Sequence, residues 1–196
     1  MAGLVLFGTG IWLGLQAHLG VGPWDVLAGG LSQRLGTPFG RTAIGVSVVV
    51  LLIGLVAGVR PGFGTAANVV VIGVVIDLLL ATPALDRLAH QAVGLRLLAT
   101  AGGIAAVAAG SALYLGAHLG PGPRDGLMVA LVERTGWRVG ICRAVLECGV
   151  LVIGVALGGP VGPGTVAFAL GIGPAVQVAF RLLRQSPVRG AVEAPA

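Results

Sequence analysis

The stretch His18–Gly36 reads HLGVGPWDVLAGGLSQRLG, and one hundred residues later His118–Gly136 reads HLGPGPRDGLMVALVERTG. Each copy has a Gly-Pro turn, then an amphipathic segment that ends at a glycine. Proline suits the first turn of a helix, and glycine is the usual left-handed C-cap. The pattern predicts short helices over 24–35 and 124–135. At about 1.5 Å per residue, each is too short to cross a bilayer core of about 30 Å.

The repeat continues at the same offset without a gap. Further matching pairs are Gly40 and Gly140, Gly62 and Gly162, Gly64 and Gly164, Thr65 and Thr165, and Gly73 and Gly173. Self-similarity at a fixed offset indicates an internal duplication. We predict repeats over about 3–82 and 103–182 within a single membrane domain, 1–196, and a disordered C-terminal tail over 183–196.

The composition predicts an integral membrane protein. Apolar residues make up 56% of the chain, charged residues only 10%, and the mean hydropathy is +1.01. Soluble domains carry about 25% charged residues. The net charge of +5 comes from arginine alone, because the chain has no lysine. These arginines lie in short loops between apolar runs, which favours a membrane topology and argues against nucleic-acid binding.

Six apolar stretches are long enough to cross a membrane as helices. They lie at about 2–19, 41–59, 65–82, 93–116, 139–158 and 164–181. Three spans per repeat is an odd number, so the second copy must insert with the opposite orientation. The predicted fold is therefore an all-α membrane protein with six transmembrane helices in two inverted three-helix repeats. Each repeat also carries a short interfacial or re-entrant helix.

Arginine placement predicts the orientation. With both termini inside, seven arginines fall on the inner side and four on the outer side. The inner set is Arg60, Arg124, Arg134, Arg138, Arg181, Arg184 and Arg189, and the outer set is Arg34, Arg41, Arg87 and Arg96. The positive-inside rule then favours cytoplasmic termini in a bacterial plasma membrane. Under inversion, Trp24 lies at the outer interface and Arg124 at the inner one, which explains their difference; a charge role for Arg124 toward a substrate is the alternative.

Several segments resemble one bacterial family. They are LGVGPWDVL at 19–27, GFGTAANVVVIGVVID at 62–77, LGPGPRDGLM at 119–128, CRAVLE at 142–147 and GPGTVAFALGIGP at 162–174. The chain is similar to the YczE branch of the YczE/YitT-like multi-pass membrane proteins over almost its whole length. The resemblance implies a six-span plasma-membrane protein and supplies no mechanism.

Polar residues within apolar stretches are the candidate site. Arg143 and Glu147 lie four apart on one helical face, either as a self-neutralised pair or as an anion ligand and a proton carrier. Asp77 ends an apolar run. It is either a site for a coupling ion or proton, or a solvated residue at the end of a span. We expect Asn68 either to line a cavity or to form a hydrogen bond between helices.

Asp25 and Asp125 lie in the first turns of the short helices. They either cap free N–H groups or order half-helices that face a substrate. The turns at 62–65 and 162–165 each present a threonine as the expected N-cap.

Other chemistry is not indicated. Cys142 and Cys148 lie on different helical faces, so no local disulfide is expected. His18 and His118 would sit at opposite membrane faces, so no metal site is expected. The sequence also lacks phosphate-loop and nucleophile motifs, and we expect neither an enzyme nor a cofactor.

The favoured function is transport of an unidentified small solute by alternating access, with a small anion as one candidate, through Asp25, Asn68, Asp77, Arg124, Asp125, Arg143 and Glu147. The alternative is a non-transporting membrane scaffold or accessory protein. The oligomeric state stays open.

Overall fold

The computed structural model describes residues 1–117, 120, 122–137 and 139–183, without the side chains of 139 and 140. This part of the chain is all-helical, with no strand. The helices are α1 (Ala2–Ala17), α2 (Pro23–Leu35), α3 (Phe39–Val56), α4 (Phe63–Leu80), α5 (Val93–Leu115), α6 (Pro123–Thr135), α7 (Val139–Ala156) and α8 (Pro163–Leu182). A 3-10 turn at Leu88–His90 precedes α5. The predicted disordered tail lies outside the described residues, except for Leu183.

The two short helices form where the sequence predicts them. Pro23 and Pro123 open α2 and α6, where a missing N–H is tolerated. Gly36 and Gly136 end them with φ values of 62° and 67°. A side chain is disfavoured in this left-handed conformation, so glycine is the natural residue there.

Four helices (α3, α4, α5 and α8) are long and apolar enough to cross a membrane. Their outer surfaces carry large apolar side chains such as Leu52, Leu78 and Leu170, each more than half exposed. Lipid suits such faces, whereas water does not. Of the other two expected spans, α1 is apolar but has only 16 residues, and α7 is not among the four.

Helices α1 and α5 pack closely through glycines. A Cβ added to Gly3 would lie 2.9 Å from the Gly110 carbonyl oxygen, and one on Gly10 would lie 2.6 Å from the Gly103 carbonyl oxygen. The pairing of 3 with 110 and 10 with 103 makes the two helices antiparallel. Small residues allow this approach, as is common between membrane helices. The contacts are also equivalent, because 103 and 110 are the repeat partners of 3 and 10.

Each short helix packs on the other half of the chain, α2 on α7 and α6 on α3. The Arg34 guanidinium donates to the carbonyl oxygens of Ala156 and Leu157 at 3.1 Å each. Arg134 donates to the Val56 carbonyl oxygen at 3.4 Å. An arginine at the C-terminal carbonyls of a helix satisfies acceptors that the helix leaves free and complements its dipole.

The connections that lead into the short helices also cross between halves. Gly20, at φ 98°, lies against Gly162 and Thr165, while Gly120, at φ 111°, lies against Gly62 and Thr65. Neither position has room for a Cβ.

The threonines of these turns are not the N-caps, contrary to expectation. The N-caps are Gly62 and Gly162. Thr65 and Thr165 lie three residues later and accept from the N–H groups of Gly62 and Gly162 at 3.0 and 3.3 Å. The threonine hydroxyl reaches backward to the cap residue, so glycine can occupy the cap position and make the close contact with the other half.

Candidate solute-binding cavity

A cavity of about 140 Å³ lies between the halves, where the N-terminal turns of α2 and α6 meet. One water molecule needs only about 10–15 Å³ of such space, so the cavity accommodates a small solute. Its walls are mostly apolar. Six of the seven predicted site residues line it: Asp25, Asn68, Arg124, Asp125, Arg143 and Glu147.

Asp25 and Arg124 form an ion pair between the two halves. The Arg124 Nη2 atom lies 3.6 Å from Asp25 Oδ1, and the Asp25 side chain is only 3% exposed. Oδ1 has no hydrogen-bond partner within the described part of the chain. No side chain caps the N-terminus of α2, so the capping role considered for Asp25 is not seen. Burying a carboxylate oxygen without a hydrogen-bond donor costs free energy, so this atom is a candidate ligand-binding group.

Arg124 also covers the indole of Trp24. Its guanidinium carbon lies 5.1 Å from the ring centroid, a cation–π distance. This contact corrects the topological explanation given above. Residues at opposite membrane interfaces would be separated by about 30 Å, so Trp24 and Arg124 cannot lie at opposite faces. Arg124 belongs to the cavity wall.

The corresponding aspartate of the second half has a different partner. Asp125 Oδ2 accepts a hydrogen bond of 2.8 Å from the Tyr114 hydroxyl. Asn68 lies beside this pair, since a Cβ on Gly122 would lie 3.1 Å from the Tyr114 hydroxyl and 3.5 Å from the Asn68 amide nitrogen. The two half-helix entrances therefore present different chemistry: an ion pair at α2 and a tyrosine–carboxylate pair at α6.

Arg143 and Glu147 face each other on α7, as their spacing predicts. Arg143 Nε lies 3.9 Å from Glu147 Oε1, and their side chains are 52% and 29% exposed. Glu147 also lies near Arg124, Asp25 and the Trp24 indole. The pair thus adjoins the Asp25–Arg124 pair along the cavity, which joins residues of α2, α6 and α7 into one polar cluster.

Asp77 lies outside this cavity. Its carboxylate accepts hydrogen bonds from the Gly40 and Arg41 N–H groups, at 2.6 and 3.0 Å. These donors belong to the first turn of α3, where backbone N–H groups have no acceptor within the helix. The placement gives Asp77 a role in joining α4 to α3.

Three other residues singled out in the sequence, Cys142, Cys148 and His18, do not line this cavity. Cys142 and Cys148 are free thiols in this structure, the first buried and the second exposed. His18 is the left-handed C-cap of α1, with φ 50°. His118 lies outside the described residues. Among the described residues, no group of three or more metal-ligating side chains occurs.

Sequence reasoning missed two residues of the cavity. Tyr114 is the only tyrosine of the chain and ends an apolar helix, a position that could have drawn attention to it. Trp24 was interpreted as an interfacial residue, but it is only 5% exposed and lies beside the ion pair. Residues at equivalent positions of two repeats meet only near the axis that relates them. No signal in the sequence indicated that positions 24 and 124 meet in this way.

Comparison with known proteins agrees with an apolar helical membrane protein. A model of the family of unknown function DUF6198 matches residues 1–181. The chain is 35% identical over 187 residues to an uncharacterized protein of Haemophilus influenzae, which covers 94% of this chain and 83% of that protein. It is 33% identical over 172 residues to the uncharacterized membrane protein YczE of Bacillus subtilis, covering 86% and 78%.

A third relative, the uncharacterized protein YyaS of Bacillus subtilis, is 25% identical over 165 residues, covering 84% of this chain and 82% of that protein. No solved structure matches the chain. The protein is a helical membrane protein, as its composition and helices indicate. It belongs to the DUF6198 family, and its resemblance to YczE is confirmed.

Proposed function

We propose that the protein transports a small charged solute and that the cavity between its halves is the binding site. One observation carries the proposal. Five charged side chains (Asp25, Arg124, Asp125, Arg143 and Glu147) converge on one cavity of a chain with only 10% charged residues. Charges within a membrane protein cost several kcal/mol each and usually mark a substrate or ion pathway.

The arrangement proposed for transport is two inverted three-span repeats. Its support is the antiparallel contact of α1 with α5 through the pairs 3–110 and 10–103. An axis that exchanges these pairs runs perpendicular to both helices. If α1 and α5 cross the bilayer, that axis lies in the membrane plane, as in many alternating-access transporters.

The short helices fit the same proposal as re-entrant half-helices. Their N-terminal turns line the cavity and their C-terminal arginines, Arg34 and Arg134, contact the ends of α7 and α3. Non-helical backbone at membrane depth is tolerated where it lines a polar cavity. Movement of one repeat against the other would then open the cavity to each side in turn. The bacterial plasma membrane and cytoplasmic termini remain part of this proposal.

Reconstitution into liposomes tests the function. Shrinkage and swelling would be followed by light scattering in methylammonium chloride, glycine and sodium acetate, which represent a cation, a zwitterion and an anion. We expect the wild-type protein to accelerate entry of at least one of them. The R143L/E147L variant should lose the acceleration, because it removes two cavity charges together.

A matched variant controls for the loss of two charges. D86L/R87L removes one acid and one arginine from an exposed connection outside the cavity, and its flux should equal wild type. Wild-type flux in a normally inserted R143L/E147L variant would overturn the assignment of the site. Absence of wild-type flux for all three solutes would reject transport and favour the scaffold role.

A further inference from the structure

The Arg124 guanidinium occupies a site that has the features of a cation-binding site. One wall is the face of Trp24, 5.1 Å away, and the other is the Asp25 carboxylate, 3.6 Å away. Trp24 is 5% and Asp25 2% exposed, so both are held rigidly by packing. The arginine itself is 31% exposed and comes from the other half of the chain. A buried pocket on one half thus holds a partly exposed side chain of the other half.

Arg124 balances the charge of Asp25 but lies beyond hydrogen-bond distance of its Oδ1 atom. A distance of 3.6 Å exceeds the 2.7–3.2 Å range of N–H···O hydrogen bonds. The buried Asp25 Oδ1 has no donor among the described residues. A free cation with N–H groups is not constrained by the backbone of α6. It can approach this oxygen to hydrogen-bond distance while still lying over the indole.

The charge of the cavity favours a cation over an anion. Its described charged lining comprises three carboxylates (Asp25, Asp125 and Glu147) and two arginines, Arg124 and Arg143. The sequence offered these arginines as anion ligands, but each faces a carboxylate. The cavity group that lacks a hydrogen-bond partner among the described residues is an acceptor, the Asp25 Oδ1 atom. The aromatic wall and the absence of a ligand cluster for metals in the described part favour an organic cation over a metal ion.

We propose that Trp24 and Asp25 bind a small organic monocation with N–H groups, of the guanidinium or primary ammonium class, and that Arg124 is a tethered occupant which this ligand displaces. The inference rests on the proposed function, for which it names the substrate class. Exchange of Arg124 for the ligand breaks an ion pair between the halves. Binding is thereby linked to the relative movement of the repeats.

Tryptophan fluorescence tests the site directly. The chain has three tryptophans, so W12F/W137F leaves Trp24 as the sole reporter. Guanidinium chloride and methylammonium chloride would be titrated at millimolar concentrations into the purified protein in nanodiscs. Sodium chloride and sodium acetate would serve as ionic-strength and anion controls. A saturable change is expected with either organic cation and not with the two sodium salts.

Removal of the tethered occupant should tighten binding. A competitor that fills the site in most molecules lowers the apparent affinity by the fraction left free. We expect R124A to bind guanidinium at least about tenfold more tightly than the parent, and R124A/D25N to lose that gain. The control is R134A, which removes an arginine from the same helix outside the cavity and should leave the affinity unchanged.

The outcomes separate the site from transport. Unchanged guanidinium affinity in a monodisperse R124A protein, or saturation by acetate instead of the cations, overturns the proposal. Full affinity in R124A/D25N overturns it as well. Thermal unfolding of each variant shows whether it is folded, and R124Q replaces R124A if the latter is not. Cation binding without flux in liposomes would support the site and reject transport, whereas flux without a Trp24 response would reject the site alone.

Discussion

Asp77 on α4 accepts a hydrogen bond of 2.6 Å from the backbone N–H of Gly40 on α3. A second donor, the Arg41 N–H, lies 3.0 Å from its other oxygen. One carboxylate therefore supplies the N-terminal cap of α3 from a neighbouring helix. Its presence at the end of the run VVVIGVVID has a structural reason that requires no solute.

The D77A variant should lose stability and keep the cation site. Loss of a helix cap costs about 0.5–2 kcal/mol, and two backbone donors would lose their acceptor here. We expect a lower thermal unfolding midpoint for D77A and a partial recovery for D77N, whose single amide oxygen can accept from Gly40. The Trp24 response to guanidinium should persist. A stable D77A protein without flux would instead make Asp77 part of the transport pathway.

Alanine substitutions at two adjacent glycines of α5 should have opposite effects on stability. A Cβ on Gly103 would lie 2.7 Å from the Gly10 carbonyl oxygen, whereas one on Gly102 would meet nothing within 4 Å. Overpacking typically costs about 1–3 kcal/mol, while glycine to alanine in an open helix position gains about 0.5–1 kcal/mol. We expect G103A to lower the unfolding midpoint and G102A to maintain or raise it. Equal effects would show that α1 and α5 are not packed as described.

The arginines that bind helix ends should differ in importance. Arg34 donates two hydrogen bonds of 3.1 Å to α7, and Arg134 donates one of 3.4 Å to α3. Exposed charged contacts contribute up to about 1 kcal/mol, and shorter paired bonds lie at the upper end. R34A should therefore lower the unfolding midpoint more than R134A. If R134A lowered the midpoint more than R34A, these hydrogen bonds would not determine how strongly each arginine stabilises the protein.

Thiol labelling tests the inverted arrangement. In a C142A/C148A background, single cysteines would replace Arg34 and Arg134, both of which are exposed. An impermeant maleimide on intact cells should label position 34 and not 134, because the proposed repeats place them on opposite sides of the membrane. Labelling of both positions from outside would make the duplication parallel. Permeabilised cells, in which both cysteines should react, provide the control for accessibility.

Local features of the fold could be predicted from the sequence because local chemistry dictates them. Pro23 and Gly36 bound α2 as their backbone preferences require, and apolar length indicates α3, α4, α5 and α8. The spacing of Arg143 and Glu147 predicts their pairing on one face of α7. Such signals lie within a few residues of one another.

Contacts between helices that are distant in the sequence could not be predicted in this way. The Arg124–Trp24 contact and the Asp77–Gly40 hydrogen bond depend on how helices pack, and no local propensity encodes that packing. The prediction from sequence put Trp24 and Arg124 at opposite interfaces because it assumed that inverted repeats always separate equivalent positions. Near the axis of a repeat, inversion brings equivalent positions together. This geometric fact explains the error at position 24.

The glycine pairs of α1 and α5 also bear on the ancestry of the protein. Residue 3 meets 110 and residue 10 meets 103, which is the self-complementary pattern of a symmetric dimer written into one chain. Under the inverted arrangement, a half-length ancestor would have built this interface only by inserting in both orientations. Gene fusion would then have fixed one orientation for each copy. It would also have allowed the two copies to diverge, which accounts for a tryptophan at position 24 and an arginine at position 124.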